Sequence, residues 1–411
     1  MRGSGGTRPE EIAVTGIGLV TPGGVGTEAT WEAVCAGRSA ARTDPDLHSL
    51  PVTLSCRVPA HEQLPGRLWR YDRSTRFLLL AAEEALASAG LAGREWDPAR
   101  VAVVVGTAAG GIDTLETQHR KLLTTGHATV SPMTLPAFLP NMAAGHLALQ
   151  LGVRGPSLQT STACASGATA LITALLLLRA GACDIAVAGG TDAMATPLCA
   201  AAFAKMGALS RREHEPGRAS RPFDKERDGF VLGEGSALLV LERRRHAQAR
   251  GAGVLALLAG HGSTSDAHHP TAPHPEGVGL RAAIEGALAD AGAHADDVDH
   301  INAHGTSTPL NDRAEAAVIR DLFAARHPPV TSAKGALGHT MGAAGAVEAA
   351  LTVLTIARGT IPPTANFEAP DDTTAGIDVV AGALRHQRLG LALSHSLGFG
   401  GHNTVLALTP A

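Results

Sequence analysis

Continuous runs of Val, Ile, Ala and Leu recur along the chain, and glycine or proline bounds most of them. Such runs are typical of parallel strands that are buried on both faces of a sheet. They predict strands over 12–22, 183–194 and 235–244, and a closing hairpin over 389–410. Longer alanine-rich segments that end at glycine lie between them and predict helices. This alternation predicts an α/β protein.

The predicted elements occur twice in the same order. The segments "EALASAG" at 84–90 and "GALADAG" at 286–292 each precede a strand pattern that ends in Gly-Thr. A second pair, 167–181 and 345–359, has equal lengths, glycine at both ends and arginine at or near the position before the closing glycine. Two such coincidences in the same order predict a duplicated βα unit.

The duplication predicts an N-terminal half over 12–250 and a C-terminal half over 251–411, after a leader over 1–11 that we expect to be disordered. The leader has no apolar core segment, so we expect no signal peptide. The apolar runs are far shorter than the roughly 20 residues that cross a bilayer. A net charge of −4 indicates neither nucleic acid nor an anionic membrane as partner. We therefore expect a cytoplasmic protein.

Cys164 lies between small residues in "TSTACASGATALITALLLLRAG", ahead of the first repeated apolar helix. The other cysteines (Cys35, Cys56, Cys183 and Cys199) are unevenly spaced without a Cys-x-x-Cys, which argues against a disulfide framework or a structural zinc site. A free cysteine is most often a packing residue. A thiol at a helix start instead lies beside N–H groups that favour the thiolate. Cys164 is therefore a packing residue or a nucleophile.

Two histidines adjacent to glycine offer partners for a nucleophilic thiol. His304 lies in "NAHGTSTPLND", and His339 lies in "SAKGALGHTMGAAGA" with Lys334 before it. The duplication places Cys164 and His339 ahead of matching helices, so we expect both near a pseudo-twofold axis. Taken alone, each histidine remains open between a structural and a catalytic role.

Several long motifs occur in a fixed order from about Ile12 to Leu408: "TACASG", "RASRPFDKERDGFVLGEG", "SDAHHPTAPHPEG", "NAHGTSTPLND", "SAKGALGHTMGAAGAVEA" and "GFGG". Through them the chain resembles the β-ketoacyl-[acyl-carrier-protein] synthases, in particular the second type, and the discrete ketosynthases of type II polyketide systems. The resemblance implies the thiolase-like fold, with two pseudo-duplicated halves in a five-layered αβαβα arrangement. It also implies a dimer.

The implied reaction is the decarboxylative Claisen condensation of malonyl-carrier protein with a Cys-bound acyl chain, which gives β-ketoacyl-carrier protein. The pathway is fatty acid or, as we favour, type II polyketide biosynthesis. The substrates are carried on phosphopantetheine, and no further cofactor and no metal is implied. The implied partners are an acyl carrier protein and a second subunit, either another copy of the chain or a chain-length-factor-like protein.

The resemblance assigns roles to residues that match the motifs. Cys164 is the implied nucleophile, and His304 and His339 are the implied decarboxylation pair. Lys334 is expected to hold the histidine network, with Glu348 as its salt-bridge partner. We expect the backbone N–H groups of Cys164 and Phe399 to form the oxyanion hole, and the Phe399 side chain to gate the acyl channel. The remaining expected contacts are Thr306, Thr308 and Thr271 for pantetheine, Leu397, Gly398 and Gly400 for the acyl channel, and Phe138 for the channel of the dimer partner.

The chain departs from the pattern of its relatives near these motifs. Many relatives have Asn-Ser-Phe where this chain has His395, Ser396 and Leu397, threonine where it has His402, and glycine where it has Asn311. Because 395–402 is expected to border the acyl channel, these departures place substrate preference in doubt. They favour a specialised pathway.

Four other protein classes share some of these sequence features. A biosynthetic thiolase needs a second cysteine near the C-terminus, but the last cysteine is Cys199. The third type of ketoacyl synthase has asparagine at the position of His339. A cysteine hydrolase does not explain a second glycine-flanked histidine after a lysine. A chain-length-factor-like partner subunit lacks the nucleophilic cysteine, yet it remains the alternative from a different functional class.

Two further kinds of side-chain cluster give weaker indications of a metal site or a carrier-protein surface. His261, His268, His269 and His274 resemble a metal-ligand set but lack regular ligand spacing, so we expect no metal there. Carrier proteins are acidic, and basic residues that could meet one form two groups: Arg67, Arg70, Arg73 and Arg76, and Lys205, Arg211 and Arg212. Such groups are usually solvated surface.

Overall fold

The computed structural model describes residues 10–60 and 70–411. Most of the predicted leader and Arg67 therefore lie outside the described residues. The strands are β1 Ile12–Thr21, β2 Gly24–Val25, β3 Arg42–Thr43, β4 Leu54–Cys56, β5 Val101–Gly106, β6 Ser157–Thr160, β7 Ile185–Ala193, β8 Leu232–Arg243, β9 Ala256–Ser265, β10 His300–Asn302, β11 Pro329–Thr331, β12 Thr360–Ile361, β13 Asp378–Val379, β14 Arg385–His386, β15 Ala392–Gly398 and β16 His402–Thr409. The helices are α1 Thr27–Cys35, α2 Arg73–Ser88, α3 Ile112–Thr125, α4 Thr134–Phe138, α5 Met142–Leu151, α6 Ser166–Arg179, α7 Pro197–Lys205, α8 Arg244–Ala249, α9 Val278–Ala291, α10 Pro309–Leu322, α11 Lys334–Leu337 and α12 Ala344–Arg358.

The strand order repeats about the β9–β1 pair. The order is β13-β11-β10-β15-β16-β9-β1-β8-β7-β5-β6. In the N-terminal half, β6, β5 and β7 are parallel, and β8 and β1 each run antiparallel to the strand before them. In the C-terminal half, β11, β10, β15, β16 and β9 repeat this order and these directions. The predicted duplication is therefore present in the topology, while the boundary at 250/251 stays a prediction.

Side chains that alternate along the strands separate the layers of the fold. In β5, Ala102 and Val104 face a core shared with α6 and α12, whereas Val103 and Val105 face α2 and α5. In β16, the shared core receives Leu406 and Leu408, and the opposite face packs against α9 and α10. Helices α6 and α12 thus lie between two sheet layers, with further helices outside both. This is the predicted five-layered arrangement.

Helix α12 is apolar because it lies in the middle of the fold. Met341–Arg358, which is α12 and the turn before it, is the one stretch of the described residues that is long and apolar enough to cross a membrane. Within the fold, 89% of it is buried. Its apolar character is therefore accounted for by core packing between the two halves.

The two repeated helices begin with the same unusual turn. Ala163 has φ of +50° and Met341 has φ of +52°, and each begins a short 3₁₀ turn that leads into α6 or α12. Positive φ is uncommon for residues with a Cβ and marks a constrained site. Strand β6 ends at Thr160, and Cys164 lies inside this turn. The turn moves the thiol from the sheet edge to the start of α6.

Candidate active site

The turn that carries Cys164 is fixed by local hydrogen bonds and by the end of β15. The Ser166 hydroxyl donates to Ala163 O at 2.6 Å and accepts from Thr162 N–H at 2.9 Å. A Cβ on Gly398 would lie 2.3 Å from Thr162 O, so only glycine permits this approach of the two backbones. The close packing places the Phe399 N–H in hydrogen-bonding position to the thiol of Cys164.

The Cys164 thiol is neutral at physiological pH. Burial raises the pKa of Cys164 to about 11, although the Lys334 charge and the Phe399 N–H lower it. The helix start was expected to favour the thiolate. Burial of the thiol acts against that effect here.

A cavity of about 330 Å³ opens at Cys164. The predicted nucleophile and both predicted catalytic histidines line it, together with the predicted pantetheine and channel residues Thr271, Thr306, Thr308, Leu397, Gly398 and Phe399. The sequence did not indicate several other lining residues, which are Phe203, Met206, Phe230, Pro273, Leu310 and Met341. Most of these are apolar, and such a wall suits an acyl chain or the apolar part of a pantetheine arm.

Two of the predicted channel residues lie elsewhere. Gly400 is not among the lining residues, although it lies between the lining residues Phe399 and Gly401; its φ is +88°, and a Cβ there would lie 3.2 Å from the ring of His402. Phe138 is half-buried at the end of α4, where its carbonyl accepts the N–H of Gly111, and it is also absent from the cavity wall. A contact of Phe138 with a partner's channel stays a prediction.

His304 and His339 are neutral and face each other. Burial and the nearby Lys334 charge hold the pKa of both rings well below the usual histidine range. The ring centroids lie 5.5 Å apart at an interplanar angle of 82°. His339 Nδ1 accepts the Met341 N–H at 3.2 Å, and His304 Nδ1 lies 3.4 Å from the Lys334 ammonium. With Nδ1 an acceptor in both, each Nε2 carries the ring proton.

Lys334 joins the two histidine motifs beneath the cavity. Its side chain is almost completely buried and pairs with Glu348. The ammonium also donates to the backbone oxygen of His304 at 2.6 Å. Burial raises the pKa of Glu348 to about 7, although Lys334 lowers it. The predicted Lys334–Glu348 pair is therefore formed, and it fixes both the backbone and the ring tautomer of His304.

Two carboxylates that the sequence did not indicate hold the loop of His304. Glu315 accepts the N–H groups of His304 and Gly305, both at 2.8 Å. Asp312 accepts the Ser307 N–H at 3.1 Å and the Phe223 N–H at 2.7 Å. The loop needs such support because Ser307 has φ of +70°. Both acids lie in the first two turns of α10, which follows the "HGTST" motif, and this position is the signal that could have identified them.

The two threonines of this loop point to one side. The Thr306 and Thr308 hydroxyls share a hydrogen bond of 2.8 Å, and both side chains line the cavity. Thr271 lines the same cavity from another loop. The three therefore lie where a pantetheine amide would pass between solvent and Cys164.

The residues that depart from the relatives' pattern separate into two groups. Leu397, His402 and Asn311 line the cavity. His395 and Ser396 do not; they are buried on opposite faces of β15. The expectation that His395 borders the acyl channel is therefore wrong, because its side chain points towards α10.

The loop histidines form no metal centre among residues 10–60 and 70–411, where no group of three or more candidate ligands was found. His268 and His274 approach to 4.9 Å between ring centroids, whereas His261 lies near Asp290. That no metal is needed stays a prediction.

The predicted basic groups lie at two surfaces. Lys205 ends α7, next to the cavity residues Phe203 and Met206, and Arg211 is exposed nearby. Arg70, Arg73 and Arg76 line a separate cleft of about 460 Å³. Both surfaces therefore present positive side chains, one of them at the cavity mouth.

Comparison with known proteins matches this architecture. Residues 9–247 match the family described as "Beta-ketoacyl synthase, N-terminal domain", and residues 255–368 match "Beta-ketoacyl synthase, C-terminal domain". A "3-oxoacyl-[acyl-carrier-protein] synthase 2" of Synechocystis sp. is 40% identical over 408 residues, which are 97% of each chain.

Solved structures agree in fold. The structure described as "The ishigamide ketosynthase/chain length factor" has a TM-score of 0.91 and 33% identity, over 98% of this chain and 100% of that chain. The structure of a type II PKS acyl-carrier protein in complex with its ketosynthase bound to the hexaketide has a TM-score of 0.89 and 31% identity, again over 98% of this chain and 100% of that chain. The predicted thiolase-like fold and acyltransferase class are confirmed, and the chain-length-factor alternative is not better supported. The chain belongs to the β-ketoacyl synthase family.

Proposed function

We propose that Cys164 accepts an acyl chain from a carrier protein, and that His304 and His339 promote its condensation with malonyl-carrier protein. The observation that carries this proposal is the pair of neutral imidazoles, each with its proton on Nε2, that share a cavity with the thiol. Decarboxylation places negative charge on a thioester oxygen. Two N–H donors directed at that oxygen would stabilise the enolate.

Acyl transfer begins with the neutral Cys164 thiol. Its sulfur forms a bond to the thioester carbon, the bond from that carbon to the pantetheine sulfur breaks, and the proton lost by Cys164 ends on the departing pantetheine thiol. The tetrahedral oxyanion needs donors, and we assign the backbone N–H groups of Cys164 and Phe399. Because Gly398 fixes the distance between these two segments, it also fixes the oxyanion hole. Loss of one such donor typically lowers the rate by roughly 10²–10³-fold.

Condensation then uses malonyl-carrier protein. The bond between the malonyl carboxylate and the α-carbon breaks, CO₂ leaves, and the electron pair forms the enolate. Its carbon attacks the acyl thioester, and the Cys164 sulfur leaves and takes up a proton. His304 and His339 act as N–H donors throughout, so neither imidazole has to change its charge.

We assign the pantetheine arm to Thr271, Thr306 and Thr308, and the carrier protein to the basic surface at Lys205 and Arg211. The three threonines line the cavity, and the exposed Lys205 lies in sequence between the lining residues Phe203 and Met206. The Phe399 side chain is half-buried there, and its ring centroid lies 6.1 Å from that of Phe203, so rotation of the Phe399 side chain would open or close the channel. No cofactor beyond phosphopantetheine enters this scheme, and we place the protein in the cytoplasm.

We further propose a dimer through β6, with either a second copy or a chain-length-factor-like subunit. Strand β6 ends the described sheet, and Leu158 on it is 41% exposed. Leu139 and Leu176 in the same half are also exposed. An open apolar edge strand favours pairing with another chain. A monomer in light scattering that keeps full condensing activity would contradict this assignment.

We also propose that the protein acts in type II polyketide biosynthesis. Related solved structures include ketosynthases with a chain length factor and with a type II PKS acyl-carrier protein, which supports a specialised polyketide pathway. Leu397 and His402 at the cavity wall support the same choice, whereas His395 no longer does. Intact-mass analysis of the protein after incubation with a panel of acyl-carrier proteins would identify the chains accepted.

Two variants of Cys164 test the proposed reaction. Cys164→Ala should abolish acylation while leaving the fold intact, because little volume is lost. Cys164→Gln should keep CO₂ release from malonyl-carrier protein, because its amide resembles an acylated thiol and both histidines remain. Acylation of the alanine variant, or no CO₂ release from the glutamine variant, would contradict the assignment.

A further inference from the structure

Two of the residues that depart from the relatives' pattern meet at one buried carboxylate. His395 on β15 donates its Nδ1–H to Glu315 Oε1 at 3.1 Å. The side-chain amide of Asn311, in the first turn of α10, donates to Glu315 Oε2 at 3.3 Å and also to Asp312 Oδ1 at 3.1 Å. Each carboxylate oxygen therefore receives one of these side chains. Many relatives have asparagine and glycine at the two positions.

Glu315 determines where His304 lies. Its two oxygens accept the backbone N–H groups of His304 and Gly305. Gly305 has φ of +40°, and a Cβ there would meet the side chains of Ser332 and Phe223, so the loop has little freedom to adjust. A shift of the carboxylate would therefore move the His304 backbone and ring.

The hydrogen bonds of His395 and Asn311 to Glu315 are shielded from solvent. Glu315 and His395 are fully buried, and Asn311 is 7% exposed. Within the described part of the chain, His395 Nε2 has no hydrogen-bond partner, so Glu315 receives the only hydrogen bond that this ring donates. A buried carboxylate that loses a donor cannot replace it with bulk water. Both departures thus stabilise the same charge.

We propose that His395 and Asn311 are positioning residues for His304 that act through Glu315. The proposal rests on the condensation function above. Substitution of these residues should therefore lower the rate of CO₂ release, because that step uses His304. It should not change the acylation of Cys164, because that step does not use His304. His395 separates these two effects because its side chain is fully buried and does not line the cavity.

The first experiment compares two substitutions of His395. Asparagine places an amide N–H near the position of Nδ1, whereas leucine removes the donor. In the Cys164→Gln background, His395→Leu should lower kcat for CO₂ release roughly 10-fold or more, with KM little changed. His395→Asn should recover most of that loss. With Cys164 intact, both variants should acylate at nearly the unaltered rate.

A matched control uses His300, another fully buried histidine of the same sheet. Its Nε2 pairs with the Thr331 hydroxyl at 2.9 Å and makes no bond to Glu315. His300→Leu should lower the melting temperature without changing the ratio of CO₂ release to acylation. An equal change of that ratio in the His300 and His395 variants would overturn the proposal.

The second experiment uses Asn311→Ala, which also serves if His395→Leu does not fold. Because both side chains act on one carboxylate, the double variant His395→Asn/Asn311→Ala should deviate from the product of the single effects by about threefold or more. Multiplicative losses would overturn the shared action through Glu315. If the parent protein is active and neither the His395 nor the Asn311 substitution changes CO₂ release, the positioning role of these residues is overturned, but the proposed function is not. An inactive parent protein would instead refute the proposed function.

Discussion

Replacement of Lys334 by methionine separates the structural role of the buried ion pair from its catalytic role. Lys334→Met keeps the length of the side chain but leaves Glu348 without its cation. Breaking one side of a buried pair typically costs about 3–5 kcal/mol of unfolding free energy. Because the pKa of Glu348 is already raised to about 7, the carboxylate takes up a proton readily. We therefore expect a loss near the lower end of that range.

The catalytic effect of the same substitution has a different origin. The ammonium is the group that keeps His304 Nδ1 an acceptor, and it also holds the His304 backbone oxygen. Without it, the ring proton is free to move to Nδ1, and Nε2 then ceases to donate. A hydrogen bond to a charged group contributes about 1.5–3 kcal/mol. This corresponds to roughly 10- to 100-fold in CO₂ release.

The assay measures CO₂ release from malonyl-carrier protein and thermal unfolding on the same samples, both in the Cys164→Gln background. The double variant Lys334→Met/Glu348→Gln removes both charges, so it should regain much of the stability but none of the CO₂ release. If Lys334→Met released CO₂ at nearly the parent rate, or if the double variant regained activity with stability, the reasoning on the His304 tautomer would be refuted.

Three further predictions concern the thiol, its turn and the imidazoles. Gly398→Ala should lower the rate of Cys164 acylation by about 10²–10³-fold, because it displaces one oxyanion donor. Gly217→Ala is the control and should leave this rate unchanged, because a Cβ at Gly217 meets open space. Equal acylation rates in the two variants would contradict the close packing at Gly398. Alkylation of Cys164 should accelerate about tenfold per pH unit from pH 7 to 9, as for a thiol of pKa about 11, and a plateau near pH 7 would indicate a thiolate. The imidazole NMR signals of His304 and His339 should not titrate near pH 6.5, because burial and the Lys334 charge lower the pKa of both rings; titration of either ring near that pH would contradict their neutral state.

The duplication and the main site residues could be predicted from the sequence because both leave local patterns. Glycine-bounded helices of equal length recur in the two halves, and they became α6 and α12. The Cys164 and His339 motifs precede these helices, so the repeat itself indicated that the two residues lie close together. The cavity that both line agrees with this prediction.

The sequence could not show the protonation state of the thiol or the support behind His304. A helix start favours a thiolate, but the degree of burial at Cys164 depends on loops from both halves and acts against it. Asp312 and Glu315 resemble ordinary acids in the first turns of a helix, and only the tertiary fold buries them. His395 seemed close to the channel because it precedes "GFGG". The two-residue period of β15 instead turns its side chain towards α10.

Cys164 carries the acyl chain, whereas His304 and His339 act in the release of CO₂ from malonyl-carrier protein. Intact-mass analysis of His304→Ala after incubation with acyl-carrier protein, followed by malonyl-carrier protein, tests this assignment most directly. The account predicts that Cys164 gains the acyl mass at nearly the parent rate, and that this mass then persists because no CO₂ is released. An unacylated Cys164 in this variant, or turnover of the acyl group with release of CO₂, would contradict it.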